Sequence, residues 1–160
     1  MIRQATLTDS QIIEKIYNQH LVKGESSMDV KINLEKVESW IVKLQDRESL
    51  FVFVEGDVIK GWAILKKYTD RYRFAGETSV YEDNDFQRLK IGEKLNTFLI
   101  SIANRYGYKH MTAKIFSSNI PSLSLFKKFG YSVVGKQHKI GFIKNKWVDM
   151  ILMEKLLHND

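Results

Sequence analysis

One segment of the sequence combines residue types and a local pattern that suit the binding of an anion. It starts at Glu77 in a strand-like run, passes through a polar turn, and continues into a helical pattern after Gly92. Such a strand–turn–helix corner presents free backbone N–H groups and the positive end of the helix dipole to an anion. Arg88 precedes the turn and Lys90 lies in it. The pattern predicts a pyrophosphate site; an ordinary corner with solvated basic residues is the alternative.

Other arrangements that carry chemistry are missing from the sequence. It has no cysteine, which removes disulfides, zinc–thiolate sites, iron–sulfur clusters and cysteine nucleophiles. The four histidines, His20, His110, His138 and His158, include no pair with the spacing of metal ligands. There is also no Gly-x-Ser-x-Gly elbow and no Walker loop. We therefore expect no metal site and no covalent acyl-enzyme formed through cysteine.

Hydrophobic periodicity predicts the elements that position the segment. Apolar runs and alternation predict strands, and apolar residues at 3.6-residue spacing predict helices. The strands are expected at residues 2–6, 50–55, 58–67, 74–82, 109–116, 131–136 and 147–157. Helices are expected after Asp9, after Asn33, after Gly92 and from Ser118 or Asn119.

This element order, β-α-α-β-β-β-α-β-α-β-β, indicates the fold class. It joins an antiparallel meander to a β-α-β crossover, which is typical of an α/β or α+β fold with a mixed sheet. A chain of 160 residues without linkers or repeats is expected to form a single domain over residues 1–160.

Composition limits the partners and the location. With 44% hydrophobic and 28% charged residues the chain is an ordinary folded protein, and its net charge of +6 favours an anionic partner. Nucleic acid is disfavoured because the basic residues are mixed with acidic ones and form no aromatic–basic stripe. The longest apolar runs, 50–54 and 62–65, are far shorter than the ~20 residues that a bilayer requires. We expect a cytoplasmic protein without a membrane partner.

The segment Gln87-Arg88-Leu89-Lys90-Ile91-Gly92 resembles the acetyl-CoA pyrophosphate loop of the GNAT family of N-acetyltransferases, whose pattern is Gln/Arg-x-x-Gly-x-Gly/Ala. Further motifs, in order along almost the whole chain, resemble the phosphinothricin N-acetyltransferase-like branch of that family. They are Ile2-Arg3-x-Ala5-Thr6-x-x-Asp9, Ile16-Tyr17-Asn18, Glu77-x-Ser79-Val80-Tyr81, Asn119-x-x-Ser122, Phe129-Gly130-Tyr131, Gly141-Phe142 and Trp147-x-Asp149. The resemblance implies a GNAT-type fold, with a mixed central sheet of about seven strands flanked by four helices.

The resemblance also implies roles for individual residues. Main-chain N–H groups of the turn would wrap the pyrophosphate; its residues are Arg88, Leu89, Lys90, Ile91, Gly92 and Glu93. The backbone of Val80, Tyr81 and Glu82 would pair with the pantetheine arm, and Asn119 would reach the cofactor near the thioester. Glu77 would be the general base, although an exposed strand carboxylate is the simpler interpretation of that residue. Tyr72 and Phe126 would line the substrate site.

Three positions depart from the family pattern. Lys90 replaces the first glycine of the loop, which costs about 1 kcal/mol or more if the position needs a positive φ. Phe126 stands where related enzymes carry a Tyr or His near the leaving sulfur, and it cannot donate a proton. The loop at residues 24–29, expected over the acceptor site, lacks an aromatic residue.

The sequence therefore predicts an acetyl-CoA-dependent N-acetyltransferase that acts on the primary amine of a small, amino-acid-like molecule. The acceptor would be of the phosphinothricin or methionine sulfoximine type and would attack the thioester directly in a ternary complex. Two alternatives are a protein or polyamine amine as acceptor, and a non-catalytic CoA-binding sensor. A homodimer is expected by resemblance alone.

Overall fold

A seven-stranded sheet carries four helices in the computed structural model, which describes residues 1–26 and 28–157. The strands are β1 (Ile2–Gln4), β2 (Ser49–Glu55), β3 (Val58–Lys67), β4 (Ala75–Glu82), β5 (His110–Phe116), β6 (Ser132–Ile143) and β7 (Lys146–Leu156). The helices are α1 (Ser10–Lys23), α2 (Leu34–Val42), α3 (Ile91–Arg105) and α4 (Ile120–Lys128). The expected sheet of seven strands with four helices is confirmed.

Strand order in the sheet is β1-β2-β3-β4-β5-β7-β6. Neighbours are antiparallel except for β4 and β5, which lie side by side in parallel after the crossover through α3. A parallel pair needs such a crossover, whereas β2 and β3 are joined by the tight turn at Gly56. The sheet is therefore mixed, as the element order predicts.

The two larger hydrophobic clusters among the described residues lie on opposite faces of the sheet. One contains the buried side of α3 and the adjacent face of the central strands, with Leu95, Leu99 and Leu65 among its members. The other packs α1 and α2 against β2 and β3 through Ile13, Ile16, Val37, Leu50 and Trp62. Because successive side chains of a strand point to opposite faces, each central strand contributes to both cores.

The parallel pairing between β4 and β5 is short. It runs from Ala75 opposite His110 to Glu77 opposite Thr112, although both strands continue. Beyond Glu77 the strands separate, which confirms the expectation that the sheet splays there. The splay opens the middle of the sheet to solvent instead of closing it with backbone hydrogen bonds.

Several element ends differ from the prediction. β1 ends at Gln4, before Thr6, and β6 continues to Ile143, beyond the expected end at Lys136. The register of β6 against β7 shifts between Gln137 and Gly141, and most of β6 is exposed on both faces. A bulged, exposed strand shows no regular alternation of apolar and polar residues, so the sequence pattern did not predict the full length of β6. Ser27 and His158 lie outside the described residues.

No helix of the described chain combines the length and the apolar character needed to cross a bilayer.

Leu95 tests the contribution of the α3 core to stability. Its side chain is fully buried in the cluster between α3 and the sheet. Leu95→Ala removes buried methyl groups and leaves a cavity, so we expect the free energy of unfolding in urea to fall by about 2–5 kcal/mol. The matched control on the exposed side of α3, Ser101→Ala, should change it by less than about 0.5 kcal/mol. Equal losses from the two variants would contradict this core assignment.

Candidate active site

A cleft of about 570 Å³ lies where β4 and β5 separate, and we call it the β4–β5 cleft. Residues 78–82 of β4 line one side, and Lys114 and Ile115 of β5 line the other. The turn before α3, helix α4, and the end of α1 with the loop that follows it complete its wall. The cleft therefore exists because the parallel pairing stops at Glu77.

The turn before α3 has the backbone of a glycine-rich loop without its glycines. Lys90, the N-cap residue of α3, has a φ of 57°, and Arg88 has a φ of 71°. Both values fall in the left-handed region that favours glycine, so each side chain adds local strain. The steric cost that the sequence analysis expected for a lysine at a positive φ therefore applies to Lys90. Both cations line the β4–β5 cleft, which gives its mouth a positive charge.

Glu82 turns its carboxylate back onto the start of α3. Its Oε1 accepts a hydrogen bond of 2.6 Å from the N–H of Gly92, in the first turn of the helix. A Cβ added at Gly92 would collide with this carboxylate and displace it, so glycine permits the close approach. Gly92 therefore has an acceptor within the chain, at the point where the resemblance placed a pyrophosphate oxygen.

Burial raises the pKa of the Glu82 carboxyl above its ordinary value. The hydrogen bond from Gly92 and the nearby His20 ring favour the charged form but offset the burial only in part. The Nε2 atom of His20 also lies 2.7 Å from the carbonyl oxygen of Glu82. Glu82 is thus held at both its side chain and its backbone.

Asn119 caps α4 and connects it to the loop that follows α1. Its Oδ1 accepts from the N–H of Ser122 at 3.2 Å, and its Nδ2 donates to the carbonyl of Glu25 at 3.1 Å. Ser118 donates to the carbonyl of Gly24 in the same loop. Asn119 lines the β4–β5 cleft, as expected, but its amide is engaged in joining two elements.

A second cavity of about 380 Å³ adjoins the cleft, and we call it the aromatic pocket. Its wall contains four aromatic rings, three lysines and one carboxylate; the residues include Tyr17, Trp40, Trp62, Tyr81, Lys66, Lys67, Lys114 and Glu77. The rings are packed on one another, with Trp62 stacked on Tyr81 at a centroid distance of 4.5 Å. Aromatic packing of this kind gives the pocket a rigid apolar wall.

Glu77 and Lys114 form an ion pair in the wall of the aromatic pocket, with 3.1 Å between Oε2 and Nζ. Glu77 belongs to the last pair of residues that β4 and β5 share. Lys114, like Ser79 and Tyr81, lines the pocket and the cleft alike. The ion pair therefore stands where the two cavities meet.

The remaining predicted residues divide into two groups. Val80, Tyr81, Glu93 and Phe126 line one or both cavities. Phe126 is nearly fully buried and packs edge-on against Tyr131 at 4.9 Å, so it forms a wall. Leu89 is largely exposed and Ile91 is buried in the α3 core. Tyr72 lies in the turn between β3 and β4, is 59% exposed, and is outside the linings of both cavities.

Sequence reasoning did not identify Lys114, Trp40 or Trp62 as site residues. Lys114 carries a signal that could have found it, because it is a charged residue within the apolar strand Met111–Phe116. The two tryptophans carry none, since their positions fit ordinary core residues of a helix and a strand. Within residues 1–26 and 28–157 no group of three or more His, Asp or Glu side chains could hold a metal ion.

The comparisons with known proteins agree with this geometry. A family model described as the acetyltransferase (GNAT) domain matches residues 2–152. The chain belongs to the GNAT family of acetyltransferases. The GNAT resemblance seen in the turn at Gln87–Gly92 is thereby confirmed, and the β4–β5 cleft and the aromatic pocket are the candidate active site of an N-acetyltransferase.

Curated GNAT relatives cover nearly the whole chain. The phosphinothricin N-acetyltransferase of Streptomyces viridochromogenes is 29% identical over 154 residues, which is 93% of this chain and 83% of the relative. The L-methionine sulfoximine/L-methionine sulfone acetyltransferase of Salmonella typhimurium is 29% identical over 161 residues, or 96% and 92% of the two chains. This GNAT chain therefore falls in the phosphinothricin N-acetyltransferase-like branch.

A solved GNAT structure shares the fold. It is yncA of Salmonella typhimurium, determined with its cofactor acetyl-CoA, which superposes with a TM-score of 0.90 at 27% sequence identity. The match covers 100% of this chain and 95% of that one. The expected GNAT-type architecture is therefore confirmed along the full chain.

Replacing Lys90 with glycine tests the strain in the turn. At a φ of 57° glycine pays no steric penalty, whereas lysine does. We expect Lys90→Gly to raise the free energy of unfolding in urea by up to about 1 kcal/mol. Lys90→Ala removes the same charge but keeps a Cβ, so it should bring no gain. If both variants stabilise equally, charge repulsion in the turn, and not its backbone, is responsible.

The raised pKa of Glu82 predicts a dependence of stability on pH. The folded state binds the carboxyl proton more tightly than the unfolded state, so stability is lost as pH rises from about 4.5 through the pKa of the folded state. Glu82→Gln keeps an oxygen acceptor for Gly92 and removes this loss. Its free energy of unfolding should exceed that of the wild type at pH 7 and approach it near pH 4. Asp85→Asn, an exposed change in the turn that follows Glu82, is the control and should show no such convergence.

Proposed function

We propose that the chain transfers the acetyl group of acetyl-CoA to the primary amine of a small amino-acid-like acceptor, of the phosphinothricin or methionine sulfoximine type. The single observation that carries this proposal is the position of Glu77. A carboxylate stands at the end of the β4–β5 pairing, beside the junction of the open cleft with the aromatic pocket. A base between a donor channel and an acceptor pocket is what acetyl transfer to an amine requires.

The β4–β5 cleft suits the acetyl donor, which is a substrate of this reaction. Residues 78–82 of β4 line the cleft and form a strand edge that β5 does not cover. The two amide groups of a pantetheine arm can hydrogen-bond to the backbone of this edge. The turn from Arg88 to Glu93 ends the cleft with two cations and the N-terminus of α3, where a pyrophosphate is stabilised. Asn119 caps α4 beside the cleft and lies within reach of the inner end of the donor.

The aromatic pocket suits the acceptor. Lys114 pairs with the single carboxylate, Glu77, so Lys66 and Lys67 leave the pocket with an excess of two positive charges. Such a wall attracts an acceptor that carries its own carboxylate or phosphinate, while the rings provide contact area for an apolar side chain. Relatives named for phosphinothricin, methionine sulfoximine and L-amino acids support the same class.

In the proposed mechanism, Glu77 removes a proton from the acceptor ammonium, directly or through water, and the neutral amine attacks the thioester carbonyl. Main-chain N–H groups of β4 beyond the splay polarise that carbonyl. The protein thus provides orientation, a base and electrostatic stabilisation, with both substrates bound at once.

The alternatives differ in what they require of the site. A polyamine or protein acceptor would favour acidic walls, whereas lysines predominate around the aromatic pocket. A CoA-binding sensor would be supported by Lys90 and Phe126, two of the three departures from the family pattern, but it does not require an ion pair between the cavities. Turnover separates the sensor from every acetyltransferase proposal.

An amine panel tests the proposed function. The protein is incubated with acetyl-CoA and phosphinothricin, methionine sulfoximine, the free amino acids, spermidine or a short peptide, and released CoA thiol is measured. The proposal expects turnover with at least one amino-acid-like acceptor and little with spermidine or the peptide. Preference for the latter two would establish the alternative acceptor class, and binding of CoA without any turnover would establish the sensor.

Glu77→Gln tests the base. The amide keeps the size of the side chain but accepts no proton from the amine, so we expect turnover to fall by roughly 10²–10⁴-fold. The affinity for acetyl-CoA, measured by calorimetry, should stay near that of the wild type because the change lies at the inner end of the cleft. Turnover equal to that of the wild type would leave Glu77 as a strand carboxylate and place the base elsewhere.

Location and assembly complete the proposal. We place the enzyme in the cytoplasm, supported by the absence of cysteine and of a long apolar run in the sequence. A homodimer is supported by resemblance and by the exposed ring pair of Phe142 and Trp147 on the β6–β7 hairpin. No nucleic acid enters the proposed reaction.

A further inference from the structure

The chemistry at the leaving sulfur is the step that the proposed site residues do not cover. Breaking the thioester leaves a thiolate, which needs a positive charge or a proton nearby. Phe126, at the position where a donor is expected, contributes only an aromatic ring to the cleft. A different residue of this chain is therefore needed to stabilise or protonate the leaving thiolate.

Lys114 lies at the junction of the two cavities, next to the position expected for the thioester sulfur. A donor in the β4–β5 cleft and an acceptor in the aromatic pocket react at the junction of the two cavities. Lys114 is the cation that lines both of them among the described residues, whereas Lys66 and Lys67 line the pocket alone. Its Nζ lies 3.1 Å from Oε2 of Glu77, and its side chain retains 37% of its exposure toward the cavities and solvent.

We propose that Lys114 is a catalytic residue that stabilises and protonates the leaving thiolate of CoA. This inference rests on the proposed acetyl transfer and adds a partner for its second half. Lys114 and Glu77 then act as an acid–base pair, with the base facing the amine and the acid facing the sulfur.

The ion pair with Glu77 makes the stabilising charge of Lys114 strongest when negative charge develops on the sulfur. Before reaction the charge of Glu77 compensates that of Lys114, so their joint field at the sulfur is weak. When Glu77 takes the amine proton it becomes neutral, and the ammonium is left uncompensated as negative charge develops on the sulfur. An interaction that strengthens only in the transition state accelerates the reaction and does not merely bind the substrate.

The proton and electron balance closes within the pair. The acceptor ammonium first loses a proton through Glu77 to solvent. The nitrogen of the neutral amine then bonds to the acetyl carbon while a second proton passes from it to Glu77. The C–S bond then breaks with its electron pair on sulfur, and the sulfur takes a proton from the Lys114 ammonium. Glu77 returns its proton to the neutral Lys114 amine across their contact. Amine and thioester have become amide and thiol, and both side chains have regained their charges.

The thiol of bound CoA provides a readout that does not depend on the acceptor. A cation within about 4–6 Å lowers the pKa of an acid by about 1–3 units, and thiolate formation is followed by ultraviolet absorbance. In Glu77→Gln the charge of Lys114 is permanently uncompensated. We therefore expect the thiol pKa of CoA bound to Glu77→Gln to lie at least about one unit, or tenfold in proton affinity, below that in the wild type.

A second substitution shows whether Lys114 causes that shift. In the double variant Glu77→Gln/Lys114→Met the thiol pKa should return to the wild-type value or above, and Glu77→Gln/Lys114→Arg should keep it low. Glu77→Gln/Lys66→Met removes a pocket lysine outside the cleft and should leave the shift in place. In turnover assays, Lys114→Met should lower kcat about tenfold or more, with a smaller change in the acceptor KM.

Distinct results would overturn the inference. If Lys114 serves the carboxylate of the acceptor, Lys114→Met will raise the acceptor KM at constant kcat, and the thiol pKa will be the same in the Glu77→Gln variants with and without Lys114. If acetyl transfer proceeds but the thiol pKa of bound CoA is the same in the wild type and in the Glu77 and Lys114 variants, the proposed function stands and the role of Lys114 is refuted. Failure of the wild type to bind CoA would refute both.

Discussion

The active site depends on the place where two neighbouring strands stop pairing. β4 and β5 share only three residue pairs, up to Glu77 and Thr112, and then diverge. Where the parallel pairing ends, the facing N–H and carbonyl groups of the two strands no longer hydrogen-bond to each other. Buried backbone groups require other partners. The cleft, the strand edge offered to the donor and the placement of Glu77 at its inner end all follow from that separation.

Charge in this site is arranged by the fold as well as by composition. The carboxylate of Glu82, at the end of β4, accepts from the first turn of α3, and Glu77 faces Lys114. Arg88 and Lys90 stand at the mouth of the cleft in strained conformations. Each carboxylate is thus adjacent to a positive group or dipole that a substrate also needs. Under the proposed function, substrate groups replace these internal partners, so the ionic groups of the site are not buried without a partner in either state.

Local pattern was sufficient for the elements and insufficient for the pocket. The start of α3 and the cap Asn33 were predictable because each is encoded in consecutive residues. Asp9 precedes α1 as predicted, but its carboxylate pairs with Arg3 and makes no cap hydrogen bond to the helix. The splay was expected from the GNAT resemblance and not from a local pattern. The aromatic pocket gathers side chains from α1, α2, β3, β4 and β5, and no short-range spacing encodes that convergence. Tyr72 shows the reverse failure, since a family position carried onto this chain falls in an exposed turn.

The connection between Asn119 and the loop after α1 limits how this enzyme can diverge. Asn119 and Ser118 hold the carbonyls of Glu25 and Gly24, and Asp29 at the other end of the loop accepts from the N–H of Phe142 at 2.9 Å. A loop pinned at both ends tolerates exchange of side chains better than insertion or deletion. New acceptor preferences are therefore expected to arise in lineages by point substitution in the aromatic pocket, while the length of this loop is inherited unchanged.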